Sequence, residues 1–71
     1  MDDDRVYEIR VEGFLSARWS DWFAGLAIHH DPNGETTLRG SVTDQAALFG
    51  ILNKIHALNL ALVSVNTLAA G

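Results

Sequence analysis

The sequence predicts an α+β sandwich with the element order β-α-β-β-α-β, and three features predict it. Apolar and polar residues alternate with period two near the start of the chain and again in its middle. Asp31-Pro32-Asn33-Gly34 divides the middle segment as a hairpin turn would. After the hairpin, Leu48, Ile51, Leu52, Ile55 and Leu58 recur at helical spacing, which marks a buried stripe bordered by Ala47.

The first strand is expected from Val6 to Gly13, with Tyr7, Ile9 and Val11 on one face and Glu8, Arg10 and Glu12 on the other. Ser16 then caps a short helix whose stripe is Trp19, Trp22 and Phe23. Gly25 suits the left-handed position at its end. Two turns are not stable alone, so this helix is held by docking its aromatics. Trp22 and Phe23 are expected in the core, with Trp19 partly exposed. Leu26–His30 forms a second strand, with Leu26, Ile28 and His30 on one face. The return strand runs from Glu35 to Val42, with Thr36, Leu38, Gly40 and Val42 facing inward. Thr43 or Asp44 caps the long helix, and Asn59 is an acceptable left-handed terminator. Leu60–Leu68 is the last strand.

These elements favour a four-stranded antiparallel sheet of order 4-1-3-2 with both helices on one face, the ferredoxin-like arrangement with a short first helix. Were the first helix a single turn, the reading reduces to a hairpin-plus-helix α+β sandwich. One domain is expected over residues 6–68, with an acidic flexible leader at 1–5 and a flexible tail at 69–71. In 71 residues the core is small, and there are no cysteines for disulfides or thiolate metal sites. Regular packing or self-association is then the available source of stability.

Composition narrows the function classes. Five basic and nine acidic residues give a net charge of −4, and the cations (Arg5, Arg10, Arg18, Arg39, Lys54) are scattered. Nucleic-acid and anionic-membrane binding both need clustered cations, so neither is expected. The outward central-strand positions Glu8, Arg10, Glu12, Thr37 and Arg39 offer no aromatic for stacking RNA bases. They read as cross-strand ion pairs on a wet face. No apolar run spans a membrane and no leader resembles a secretory signal, so the expected location is cytoplasmic.

His29-His30-Asp31 is the one stretch resembling metal ligands, but adjacent strand residues face opposite ways and cannot readily share an ion. His30 converges with His56 or Asp31 only if the tertiary fold permits. The glycines match neither GxGxxG nor the Walker pattern, and the serines form no histidine–acid arrangement. No metal, cofactor or enzymatic activity is expected.

Two apolar surfaces are left over. On the last strand, Leu60, Leu62 and Leu68 share one parity and Ala61, Val63 and Val65 the other, so both faces are apolar at a sheet edge. On the long helix, Phe49 and His56 lie off the main stripe. Phe49 either widens the core, the commoner fate of a phenylalanine, or anchors a helix-mediated contact. Candidate interface residues are therefore Leu62, Val63, Val65, Phe49, His56 and Trp19.

Taken in order, the blocks Tyr7-Glu8-Ile9-Arg10-Val11, Arg18-Trp19…Trp22-Phe23…Gly25-Leu26…Ile28, Asp44-Gln45-Ala46-Ala47-Leu48 and Leu60…Ser64-Val65 resemble a group of small uncharacterised bacterial proteins of about this length. In that group a histidine often follows the helix-start block, and Gly-Leu-Pro often leads into the last strand. Phe49 and Asn59-Leu60-Ala61 stand at those places here, as in a divergent or redesigned member. The resemblance implies the fold and no activity. The expected function is a non-enzymatic protein–protein interaction module that works as a homo-oligomer through its last strand. Alternatives are a small-molecule (amino-acid-like) sensing domain that binds its ligand between protomers, with Gly13 and the first helix start as supporting residues, and an acidic inhibitor docking on a basic partner through Asp2–Asp4.

Overall fold

The computed structural model describes residues 5–68. Asp2–Asp4 and residues 69–71, expected as leader and tail, lie outside the described residues. Arg5, expected in the leader, instead opens strand β1, Arg5–Glu12, where it pairs with Val42. The remaining elements are a 3₁₀ helix (η1, Ala17–Phe23), β2 (Ala27–His30), β3 (Glu35–Val42), an α-helix (α1, Gln45–Ala57) and β4 (Leu62–Leu68). The four strands form one antiparallel sheet in the order β2-β3-β1-β4, as expected.

Alternation set the inward face correctly. Ile9, Val11, Leu38 and Val42 are buried, and with Leu15, Phe23, Leu26, Ile51 and Ile55 they make one core. Side chains from both helices therefore enter the same side of the sheet. Gly40 lies inward, opposite Tyr7, where a Cβ would come within 2.7 Å of Cδ2 of the buried Leu26.

The hairpin closes through a three-residue loop. The Gly34 N–H donates to the Asp31 carbonyl at 3.2 Å and the Asp31 N–H to the Glu35 carbonyl at 2.8 Å. The positive φ falls on Gly34, at 89°, so the loop is a turn followed by a left-handed residue rather than a two-residue Asn-Gly turn.

The α-helix starts on Asp44, whose carboxylate accepts from the Ala47 N–H at 2.8 Å. It ends in a Schellman motif. Asn59 takes φ 60°; its N–H donates to the His56 carbonyl at 2.9 Å and the Leu60 N–H to the Ile55 carbonyl at 3.2 Å. Leu60 is thereby committed to the helix exit, and the last strand begins at Leu62 instead of Leu60.

Two expectations about the first helix are corrected. It is a 3₁₀ helix, and its left-handed C-cap is Ala24 at φ 59°, with Gly25 following at 76°. Its Trp22 is no core residue: Trp19 and Trp22 are each 37% exposed, and Phe23 alone is sealed. A tight helix with three residues per turn cannot aim all three aromatics at one sheet. The tryptophans pack edge-on to each other, and Trp22 edge-on to Phe23. Lys54 of α1 clamps the end of the segment, donating to the Trp22 carbonyl at 2.8 Å beneath a cation–π contact with the Trp22 ring.

The loop from β1 into η1 is held by polar groups at the sheet. Thr36, fully buried, donates from Oγ1 to the Gly13 carbonyl at 2.7 Å and accepts from the Leu15 N–H at 3.2 Å. Thr36→Val preserves the side-chain shape and removes both bonds, leaving two backbone groups unpaired. Urea denaturation is expected to show a loss of about 1–3 kcal/mol; an unchanged midpoint contradicts this role.

Candidate functional site

β4 is a sheet edge whose seven residues, Leu62-Val63-Ser64-Val65-Asn66-Thr67-Leu68, carry no charge. Its register on β1 shifts within the strand. Arg10 opposes Ser64 while Val11 opposes Leu62, so Val63 has no partner and forms a bulge. Directly opposed residues share a face. Leu62 (opposite Val11) and Val65 (opposite Ile9) therefore both lie on the inward side, although simple alternation put them on different faces. The outward side of β4 takes Ser64 and Asn66, with Leu68 opposite Val6. The inner face thus holds Leu62 and Val65 with the polar Thr67 opposite Tyr7, Val63 is bulged, and Leu68 is left as the apolar residue of the outer side.

That inner face is incompletely covered. The 3₁₀ helix packs on β2 and α1 on β3. Val65 is half-buried against the core, but Leu62 remains 50% exposed and Val63 45%. Phe49 is 58% exposed, so it does not widen the core. On α1 it sits two turns before the exposed His56, on the same side of the helix. Among the described residues the helix thus has one largely exposed flank, which carries Phe49 and His56 away from the buried Ile51 and Ile55.

Trp19 belongs elsewhere. It sits on η1, which packs on β2, the opposite sheet edge from β4. Leu62, Val63 and Val65 form one strip; Trp19 is not part of it.

The two edges differ in kind. β2 has only four residues, two of them histidines, and runs directly into Asp31-Pro32. Short length, polar side chains and a nearby proline are the usual protection of an edge strand. β4 is longer, carries no charge and no proline, and has Ser64, Asn66, Thr67 and the Val63 bulge as its only protection.

The other candidate sites resolve locally. His29 and His30 point to opposite faces. His30 Nε2 lies 2.6 Å from the Leu15 carbonyl, which can only accept, so Nε2 carries the proton. Its ring stacks on Phe14 with centroids 4.3 Å apart, and Phe14 is 73% exposed. Phe14 was not singled out in the sequence because it lies in a loop, outside any periodic pattern. Asp31 meets His29, with 3.7 Å between Nε2 and Oδ1; it does not meet His30. Among the described residues no group of three or more potential ligands is placed to hold a metal ion. At Gly13 and the first helix start, the amides of Gly13, Leu15, Arg18 and Trp19 all have partners within the chain. The outer sheet face also differs from expectation. Arg10 pairs with Glu8 of its own strand at 3.4 Å, while Arg39, directly opposite Glu8, makes no ion pair among the described residues.

Residues 6–66 match the family model described as a domain of unknown function (DUF8691). No curated protein and no solved structure matches the chain. The family match agrees with the resemblance in supplying no activity. Among the described residues no helix is long and apolar enough to cross a membrane.

The two phenylalanines give a direct check on these surfaces. In dilute protein, Phe49→Ala is expected to shift stability by less than about 0.5 kcal/mol, as an exposed substitution does. Phe23→Ala is expected to cost about 3–5 kcal/mol. Comparable losses in urea unfolding would contradict the solvent-facing position of Phe49.

Proposed function

We propose that this chain, which belongs to the DUF8691 family, is a non-enzymatic self-association module that pairs through the free edge of β4. The observation that carries the reading is the contrast between the two sheet edges. β4 is long, uncharged and begins with the exposed Leu62 and Val63, whereas β2 has four residues, two of them histidines, and runs into a proline. An unguarded edge presents a row of unpaired N–H and C=O groups to a second strand. A second copy supplies a matching strand without any further specificity, and a two-fold arrangement closes on itself. Pairing of this kind also covers the apolar strip that the chain's own helices leave open. In the ferredoxin-like reading of this architecture, the joined edges extend the four-stranded sheet across two protomers. The outer face, with Arg10, Thr37 and Arg39, stays open to solvent in that arrangement.

Light scattering after size exclusion tests the reading. The native chain is expected to run as a stable multiple of 7.8 kDa, and to hold that mass over about a hundredfold dilution. Val63→Lys and Leu62→Lys place a charge at the edge and are expected to yield smaller species or insoluble protein. Both variants folding with unchanged mass would show that the contact lies elsewhere.

A further inference from the structure

We infer that the outer face of the sheet carries a binding site for a small zwitterion of the free α-amino-acid class, held between Arg39 and Asp31. This site lies on β1, β2 and β3, away from the free edge of β4, and does not depend on self-association.

The face is not flat. Ala27 and Thr37 are small residues at neighbouring positions of adjacent strands, and the longer side chains of His29, Arg39 and Arg10 stand around them. They enclose a shallow basin of about 320 Å³, at the lower end of the range for ligand sites. Its floor is fixed. Thr37 faces outward yet is only 7% exposed, and its hydroxyl donates to Asp31 Oδ2 at 2.7 Å. Asp31 is also anchored by its backbone in the hairpin. The carboxylate is therefore oriented before any ligand arrives. Asp31 lines the basin, and its second oxygen, Oδ1, has His29 Nε2 at 3.7 Å, too far for a hydrogen bond.

Charge decides what the basin fits. Glu8 and Arg10 are engaged with each other at 3.4 Å and largely cancel. What remains is one guanidinium, Arg39, with no carboxylate within 4.0 Å among the described residues, and one preset carboxylate, Asp31. A ligand with a single charge would satisfy one and leave the other unmatched. A molecule carrying both signs satisfies both: its carboxylate accepts a two-pronged bond from Arg39, and its ammonium donates to Asp31 Oδ1. Spacing agrees. Arg39 and Thr37 are two residues apart on one strand, a rise of about 6.8 Å, and Thr37 touches Asp31. The separation of the two charges of an α-amino acid, a few ångströms, is of the same scale as this spacing. The shallow, open rim favours small side chains.

Amide chemical-shift titration of the full isotope-labelled chain tests this, with glycine, L-alanine and L-serine as probes. Acetate and methylammonium serve as half-probes that each carry one of the two charges. The expected result is saturable shifts at Ala27, His29, Thr37 and Arg39 with the amino acids. The half-probes, and the variants Arg39→Gln and Asp31→Asn, are each expected to weaken binding about tenfold or more, the scale of one lost charge-assisted hydrogen bond. Asp31→Asn keeps an oxygen for Thr37, and both variants report their own folding in the same spectra. No saturable shift at those amides with any amino acid overturns the site. So does binding that is equal for acetate or unaffected by Arg39→Gln.

Discussion

The constraint from which the other features follow is a mismatch of width: the helical layer is narrower than the sheet it covers. One seven-residue 3₁₀ helix and one thirteen-residue α-helix stand over four strands. The first packs on β2 and the second on β3. Ile9 and Val11 on the central strand are sealed, but the inner face of β4 is left with Leu62 half in solvent. A longer α-helix after β1 would close more of the sheet, but the chain turns left-handed at Ala24 and Gly25 immediately after Phe23. The first helix ends there over β2, at the sheet edge opposite β4.

The same economy explains the polar bonds at the other end. A short 3₁₀ helix is a poor structure by itself, so its position is set from outside. Thr36 holds Gly13 and Leu15, His30 holds the Leu15 carbonyl, Ser20 donates to the Leu26 carbonyl, and Lys54 holds the Trp22 carbonyl. Each of these residues lies on an element other than the loop it secures, or at the far end of the segment it closes. No buried side-chain nitrogen or oxygen among the described residues is left without a partner. The helix is placed by these groups and by Phe23, with the tryptophans left half-exposed at its surface.

Much of this was legible in the residues. Period two marked β1 and β3 and their inward sets, the Asp31–Gly34 turn marked the hairpin, and the Leu48–Leu58 stripe with Asp44 and Asn59 marked α1 and both its caps. Those signals are local. What was not legible depends on a partner elsewhere in the chain. The Val63 bulge is a property of the pairing with Arg10 and Val11, so alternation within β4 alone assigned Leu62 and Val65 to different faces. Trp19, Trp22 and Phe23 have spacings common to α and 3₁₀ helices, so pattern could not say that Trp22 stays half out. Phe49 depends on which flank of α1 finds a neighbour. The Glu8–Arg10 pair within one strand, with Arg39 in no ion pair among the described residues, depends on side-chain geometry that no spacing records. The β4 strip was anticipated as residues; its single-sided form was not.

Backbone hydrogen exchange along β4 tests the account at its centre, because it reads the amides that would meet a second strand. The account predicts that β4 amides pointing away from β1 are protected at high protein concentration. They should stay protected over that same dilution of about a hundredfold and exchange freely in Val63→Lys, with the central strand β1 unaffected. Free exchange of those amides at every concentration would contradict it, and would mean that the bare edge of β4 faces water.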